Sequence, residues 1–244
     1  MHEHPKIFIG TMYSGEAEFN ESTNIIESQK GVNVKRLVIE NLNEIDAHNK
    51  LWEAWNKTKN QYDLFVKIDA DTILNHDLCL HNIWNLFQQN PRATGAQLLL
   101  HDYYTQQHIA GLNCFTPKVI FKKSKDKLMP DRVDTNHDIE LRGEIVNHLN
   151  PIGLHCKNPS NLQSFHFGLH RALKKQKNIL KKIAELWSYD YDTARGFALL
   201  GASKASFWMR NNFNYNDKKF NSAFDAIKNL DNKDFIEKYC KSIL

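Results

Sequence analysis

"YDLFVKIDADTIL", residues 62–74, sets the fold question. Leu64-Phe65-Val66, with Ile68 beyond a lysine, reads as a hydrophobic strand. It stops abruptly at Asp69 and Asp71, one alanine apart. Strands are depleted in aspartate, and a buried carboxylate is costly unless a cation or hydrogen bonds compensate it. Two carboxylates at i and i+2 past a strand end can share one side of a turn and grip a hard divalent cation. Mg²⁺ takes one or two protein carboxylates and fills its other positions with water and substrate phosphates. A three-residue DxD is common by chance, and the alternative is a pair that caps a turn and the following helix. Its position in the chain gives it weight.

Upstream, Lys6-Ile7-Phe8-Ile9-Gly10 reads as a buried first strand. Glu16 to Ser28 has helical spacing, and Val34 to Ile39 reads as a second strand. Ile45, Leu51, Trp52 and Trp55 recur at helical intervals before the Leu64–Ile68 strand, and Leu78 to Phe87 reads as another helix. The β-α-β-α-β order predicts an α/β fold: an open, mainly parallel sheet flanked by helices. Such sheets bind ligands at the carboxyl ends of their strands, so Thr11, Glu40, Asn41, Asp69 and Asp71 are expected on one edge. Ala93 to Leu100 and Gly111 to Phe115 read as further strands, with "KKSKDKLMPDR" a polar loop. Beyond Ser164 the chain turns helical. With no repeat and no low-complexity linker, we expect a domain over residues 1–165 and a C-terminal helical subdomain over 166–244.

At 244 residues the chain can bury a sizeable core, and 41% hydrophobic with 25% charged residues is ordinary for a globular protein. A net charge of +4 and a pI near 8.7 are too weakly basic to imply nucleic acid and suit anionic small molecules. Cys79, Cys114, Cys156 and Cys240 are scattered, so neither a zinc ribbon nor a disulfide framework is expected and a reducing cytoplasm fits. "MHEHPKIFIG" does not read as a signal peptide, and no apolar stretch approaches membrane-spanning length.

"IFIGTMYSGEAEF", "RLVIEN", "IDAHNKLWEAW" and "YDLFVKIDADTIL" together resemble the GT-A fold of nucleotide-sugar-dependent glycosyltransferases, especially the inverting family-2-like group. The resemblance covers about the first 100 residues well, continues loosely to about residue 170, and leaves the C-terminal helices uncovered. It implies a Rossmann-like sheet with Thr11 and Tyr13 lining the nucleotide pocket and Glu40 near the base. That family usually has Asp at the Glu40 position. His48 and Asn49 would start a helix near the donor, Asp69 would reach the ribose or the metal, and Asp71 would ligate Mn²⁺ or Mg²⁺ on the diphosphate. For Glu40 and His48 a surface turn and a helix surface are equally good readings. The implied donor is a nucleotide-diphosphate-sugar, a UDP-sugar first, and the implied acceptor a glycan or lipid-linked sugar.

An inverting transfer needs a general base for the acceptor hydroxyl and electrophilic help for the leaving diphosphate. "NHDIELRGEI", residues 136–145, resembles the acidic motif that carries the base, with His137 in place of the usual first acid. That leaves Asp138 as the base and Glu140 in reserve; a surface helix start is the alternative. His155, after Pro151-Ile152-Gly153-Leu154, matches the place of a further metal ligand. His166 and His170 are spaced to share a helix face, but the HExxH glutamate is absent, so packing is the plainer reading. Residues 171–187 are cationic on one face and apolar on the other. They offer either a core-facing helix with solvated lysines or a peripheral contact with the inner face of an anionic membrane. Two other classes compete: a sugar-phosphate nucleotidyltransferase, disfavoured because "GTMYSGEAEF" has no basic residue, and a non-catalytic nucleotide- or sugar-binding module.

Overall fold

The computed structural model describes residues 4–211, 213–229 and 232–244. The chain divides into two compact units, one through Lys157 and the other from Asn158 to Leu244. The first begins with β1 (Lys6–Tyr13), α1 (Phe19–Glu27), β2 (Asn33–Glu40), α2 (Glu44–Thr58) and β3 (Leu64–Lys67). It continues through β4 (Thr72–Leu74), α3 (Cys79–Gln89), β5 (Gly95–Asp102), β6 (His108–Phe115), β7 (Glu140–Leu141) and β8 (Gly153–His155). The strands form one sheet in the order β2-β1-β3-β6-β5-β8-β4, with β7 beside β5.

The β-α-β-α-β unit holds as expected: β2, β1 and β3 are parallel neighbours. Beyond β3 the sheet is mixed. β6 runs antiparallel to both β3 and β5, β4 runs antiparallel to β8, and β7 and β8 lie parallel to β5. Strand alternation builds two apolar layers. Ile7, Ile9, Leu64, Val66 and Leu98 face α1 and α3, meeting Ile26, Leu80, Ile83 and Leu86. Phe8, Phe65 and Phe115 face α2, meeting Leu51, Trp52 and Trp55. Lys67 has the parity of Phe65, so its chain enters the α2 layer.

The sheet order explains why a hydrophobic strand ends in aspartates. β6, β5 and β8 stand between β3 and β4, yet only residues 68–71 connect these two strands. Five residue steps reach at most about 17–18 Å. Four interstrand spacings in a flat sheet need about 19 Å. The sheet therefore curls, and Ile68-Asp69-Ala70-Asp71 crosses its carboxyl edge rather than ending in a loop. The Thr72 N–H donates to the Asp69 carbonyl (3.0 Å), turning the chain into β4.

β8 is docked by its neighbours. Asn150 Oδ1 accepts from the Leu99 N–H (2.7 Å) at the β5 bulge, and the Ile152 N–H donates to the Leu99 carbonyl (2.9 Å). Gly153 allows the close approach of β4, since a Cβ there would lie 2.5 Å from the Ile73 carbonyl oxygen. The resulting register places His155 between Thr72 of β4 and Asp102 of β5.

The second unit is helical: α4 (Asn161–Leu173), α5 (Lys177–Asp190), α6 (Thr193–Ser203), α7 (Lys218–Asp225) and α8 (Lys233–Ile243). Ser160 caps α4 through the Gln163 N–H, so the helical unit starts before residue 166, inside the span expected for the first domain. Residues 171–187 are not one helix. α4 stops at Leu173, Lys175 is left-handed (φ 58°), and α5 restarts at Lys177. The apolar face of that stretch, Leu173, Leu180, Ile183, Ala184 and Trp187, is buried, as the core-facing reading expects. Gly168 lets α4 and α6 touch: a Cβ there would overlap the Ala198 carbonyl. Among the described residues, no helix is long and apolar enough to cross a membrane.

Candidate functional site

Asp69 and Asp71 have different surroundings. Lys67 Nζ lies 2.6 Å from each Asp69 carboxylate oxygen. Burial pushes the Asp69 carboxyl up, but the Lys67 charge and hydrogen bonds, with His48 and His155, outweigh it and hold it below the usual carboxylate range. Burial likewise pushes Lys67 down, and Asp69, Asp131 and Asp71 together hold it above its ordinary value. His48, on α2, is buried. Its Nδ1 donates to the Glu44 carbonyl (2.8 Å), and its Nε2 is buried without a hydrogen-bond partner among the described residues. Burial first, then Lys67, lower its pKa to about 4, so the ring is neutral at pH 7.

Asp71 faces β8. Its Oδ2 lies 3.5 Å from His155 Nε2 and 3.4 Å from Cys156 Sγ, and those two atoms are 3.5 Å apart. The Cys156 N–H donates to the Asp71 carbonyl (2.9 Å), fixing the left-handed turn at Cys156 (φ 54°). His155 Nδ1 donates to Asp102 Oδ1 (2.7 Å), which leaves Nε2 turned toward Asp71. Asp102 is itself fixed by the Thr105 N–H and hydroxyl. Burial raises its pKa, and the His155 hydrogen bond and charge with the Thr105 bonds lower it further than burial lifts it.

Asp71 and His155, both expected as metal ligands, are thus brought within 3.5 Å of each other by two strands of only three residues each. Among the described residues Asp71 Oδ1 is buried with no hydrogen-bond partner, which leaves this carboxylate able to take a cation. Asp71 and His155 therefore fit a metal ion. Asp69 is engaged by Lys67 instead.

Glu16 belongs to the same neighbourhood and was missed by sequence reasoning, although it is an acid in the loop after the first strand. It accepts from the Ser14 N–H (2.7 Å). Burial pushes its carboxyl up to about 7; the Ser14 bond opposes that, and the charges of Asp71 and Asp69 add to it. Asp102 was also missed, because the predicted strand stopped at Leu100. The turn-forming Asp102-Tyr103-Tyr104-Thr105 run was the available signal.

Thr11, Tyr13 and Glu40 stand toward the carboxyl ends of β1 and β2, the expected edge. Thr11 is buried, and its hydroxyl accepts from Arg36 Nε (3.0 Å). Tyr13 stacks on Phe19, with ring centres 4.0 Å apart. Glu40 is exposed beside Tyr13 at the end of β2. Asn49 clasps Ser124: its Nδ2 donates to the Ser124 carbonyl (3.2 Å) and its Oδ1 accepts from the Ser124 N–H (2.7 Å). Asp138 accepts from the Thr94 hydroxyl (3.1 Å), and Glu140 pairs with Gly95 at the start of β5. His155 pairs with Asp102 at the end of β5, seven residues away and about 23 Å along the strand. The structure therefore sets Asp138 and Glu140 at the amino end of β5 and does not bring them to the Asp71 edge. In the helical unit, His166 stacks on Tyr215 and His170 on Phe213. Burial, then Lys174 and Arg171, lower His166 to about 4, so both rings read as packing.

These features define an α/β protein with a histidine-carboxylate constellation at the carboxyl edge of its sheet. No protein-family model matches the chain, and no curated protein matches it. Among solved structures it is similar to a mannosyltransferase of Pyrobaculum calidifontis in complex with GDP-Man and Mn²⁺. That match has 10% identity and a TM-score of 0.41 over 99% of this chain and 86% of the other. It is also similar to S. aureus TarS 1–349 in complex with UDP, at 10% identity and a TM-score of 0.37 over 98% and 91% of the two chains. A third, A197 from STIV, gives 6% identity and a TM-score of 0.36. There 46% of this chain matches, and it spans 64% of that protein's length. At these TM-scores the likenesses carry no argument about activity or ligand.

Proposed function

We propose that this chain is a metal-dependent glycosyltransferase that moves a sugar from a nucleotide-diphosphate-sugar to a glycan or lipid-linked acceptor with inversion. The observation that carries the reading is the convergence of Asp71 and His155 at the carboxyl edge, beside an Asp69 tied to Lys67. A divalent cation, Mn²⁺ or Mg²⁺ on the pattern the sequence resembles, would supply Lewis-acid help to the departing diphosphate. Asp71 and His155 would hold it, with Asp102 fixing the imidazole. Lys67 keeps Asp69 ionised, so that its carboxylate can accept from a ribose hydroxyl. In this reading Glu16, which feels the charges of Asp71 and Asp69, would take the acceptor proton in place of Asp138 or Glu140. A cation beside Asp71 would lower its pKa from about 7. A UDP-sugar donor, a cytoplasmic setting and a place in bacterial surface-polysaccharide synthesis follow from the resemblance alone.

The test is a thermal-shift and hydrolysis screen of UDP-, GDP-, CMP- and dTDP-sugars with and without Mn²⁺. One nucleotide class should raise the melting temperature, and chelation should remove the effect. Asp71→Ala should abolish metal-dependent turnover with the fold intact; unchanged turnover sinks the assignment. A second reading, a non-catalytic binding module, is favoured by the placement of Asp138 and Glu140 away from this edge. It predicts a shift without hydrolysis or transfer.

A further inference from the structure

The three donor atoms beside Asp71 define a nearly equilateral triangle: Asp71 Oδ2 to Cys156 Sγ 3.4 Å, Sγ to His155 Nε2 3.5 Å, and Nε2 to Oδ2 3.5 Å. Donor–donor edges report coordination geometry. With zinc bonds of about 2.3 Å to sulfur and about 2.0–2.2 Å to nitrogen and oxygen, tetrahedral angles give edges of about 3.3–3.7 Å. An octahedral Mg²⁺ with bonds of about 2.0–2.1 Å needs adjacent donors only about 2.8–3.0 Å apart. The observed triangle has the tetrahedral size on all three sides.

The donor set agrees. A thiol beside an imidazole is soft, suiting zinc and similar ions, whereas Mg²⁺ prefers carboxylates, carbonyls and water. Asp102 orients the imidazole from behind, as metal-bound histidines require. The second oxygen of the carboxylate, Asp71 Oδ1, lies outside the triangle and has no hydrogen-bond partner among the described residues.

We infer that Asp71, His155 and Cys156 form a three-ligand tetrahedral site for a thiophilic divalent cation of the zinc type, with a fourth position open to an exogenous ligand. Binding replaces the thiol proton of Cys156 with the metal and releases that proton to solvent. Three protein ligands and an open position are the arrangement of a zinc that acts on a ligand rather than one that only braces a fold. The site is the one used in the transfer reading, but the inference rests on the donor geometry and stands apart from whether a sugar is transferred.

The test uses the full chain, stripped with chelator and titrated with Co²⁺ as a spectroscopic substitute for Zn²⁺. We expect one equivalent to give the intense near-ultraviolet absorption of sulfur-to-cobalt charge transfer and the visible bands of a tetrahedral ion. Zn²⁺ should displace the cobalt and raise the melting temperature more than Mg²⁺ or Mn²⁺. Cys156→Ser should abolish the sulfur band. It should also weaken zinc binding by at least the roughly 10–100-fold that losing even an outer hydrogen-bond partner of a ligand costs. Should that variant not fold, Asp71→Asn and His155→Ala must each lose the tetrahedral spectrum. A wild-type spectrum without a sulfur band, or a band that survives these substitutions, overturns the site. Donor hydrolysis followed in the same samples separates the readings. Turnover without the sulfur band sinks the zinc-type site alone, and the band without turnover sinks the transferase reading alone.

Discussion

Asp69 and Asp71 stand two residues apart, yet they meet two different kinds of surroundings. Asp69 has its own cation: Lys67 touches both carboxylate oxygens at 2.6 Å. Asp71 faces an imidazole and a thiol, and one of its oxygens is buried without a hydrogen bond among the described residues. The first arrangement is electrostatically closed and can only position. The second is open and can accept an ion. A DxD motif read as two equivalent ligands misses this, because the lysine that closes one half is part of the strand itself. Side-chain parity decides it: Lys67 enters the α2 layer beneath Asp69.

Breaking the closed half should cost the most stability. Lys67→Met removes one partner of an ion pair in which the lysine side chain is 10% exposed and the aspartate 37%. Loss of a partner from a buried pair costs about 3–5 kcal/mol. The exposure of Asp69 puts this case at the low end, about 3 kcal/mol, read from the denaturant midpoint at pH 7. Because the carboxyl of Asp69 is held below its usual range, the pair contributes fully above that range and fades as pH falls through it. Wild type and Lys67→Met should therefore converge in acid; a constant gap would show lost packing instead.

His48 gives the next largest effect. Its folded value of about 4 lies below the ordinary 6.5, so the folded state binds fewer protons. Its contribution is full above 6.5 and is lost as pH falls toward 4, about 2–3 kcal/mol over that window. Glu16, raised to about 7, works in the opposite direction, so wild type alone would show a blunted slope. Subtracting the His48→Gln profile isolates the histidine; parallel profiles would refute the assignment. On the open half, Asp102→Asn should lower metal affinity roughly 10–100-fold by loosening His155, measured by cobalt titration. It should leave the Lys67–Asp69 pair untouched.

Long-period patterns were legible and short pairings were not. The Ile7/Ile9 and Leu64/Val66 alternation and the Leu51, Trp52, Trp55 spacing set the β-α-β-α-β unit, because each pattern lies within a single element. β4, β7 and β8 span three, two and three residues and exist only through partners far along the chain. No local propensity marks such strands, so the short antiparallel pairing of β4 with β8 was not legible, whereas the mainly parallel character of the sheet was. The same blindness hid half of the site. Cys156 sits next to an expected ligand, but its approach to Asp71 needs the β4–β8 register. Asp138 and Glu140 were expected at the edge by motif likeness, and the pairing of β7 with the start of β5 carries them away.

Asn49 sharpens the comparison with the smallest effect. The sequence pattern placed its amide at the donor, whereas both ends of that amide are engaged by the Ser124 backbone. Asn56, seven residues later on the same helix, clasps the Phe121 backbone in the same way. The two side chains hold residues 121–124 against α2, so the bonds of Asn49 belong to fold stability rather than to the carboxyl edge. Each net hydrogen bond is worth about 0.5–1.5 kcal/mol, so Asn49→Ala should cost about 1–2 kcal/mol in denaturant melts. Nucleotide affinity measured by calorimetry should stay within about twofold of the wild-type value if the amide serves only the loop. The opposite split, unchanged stability with weakened nucleotide binding, would return Asn49 to the donor site and show that the Ser124 clasp opens when ligand binds.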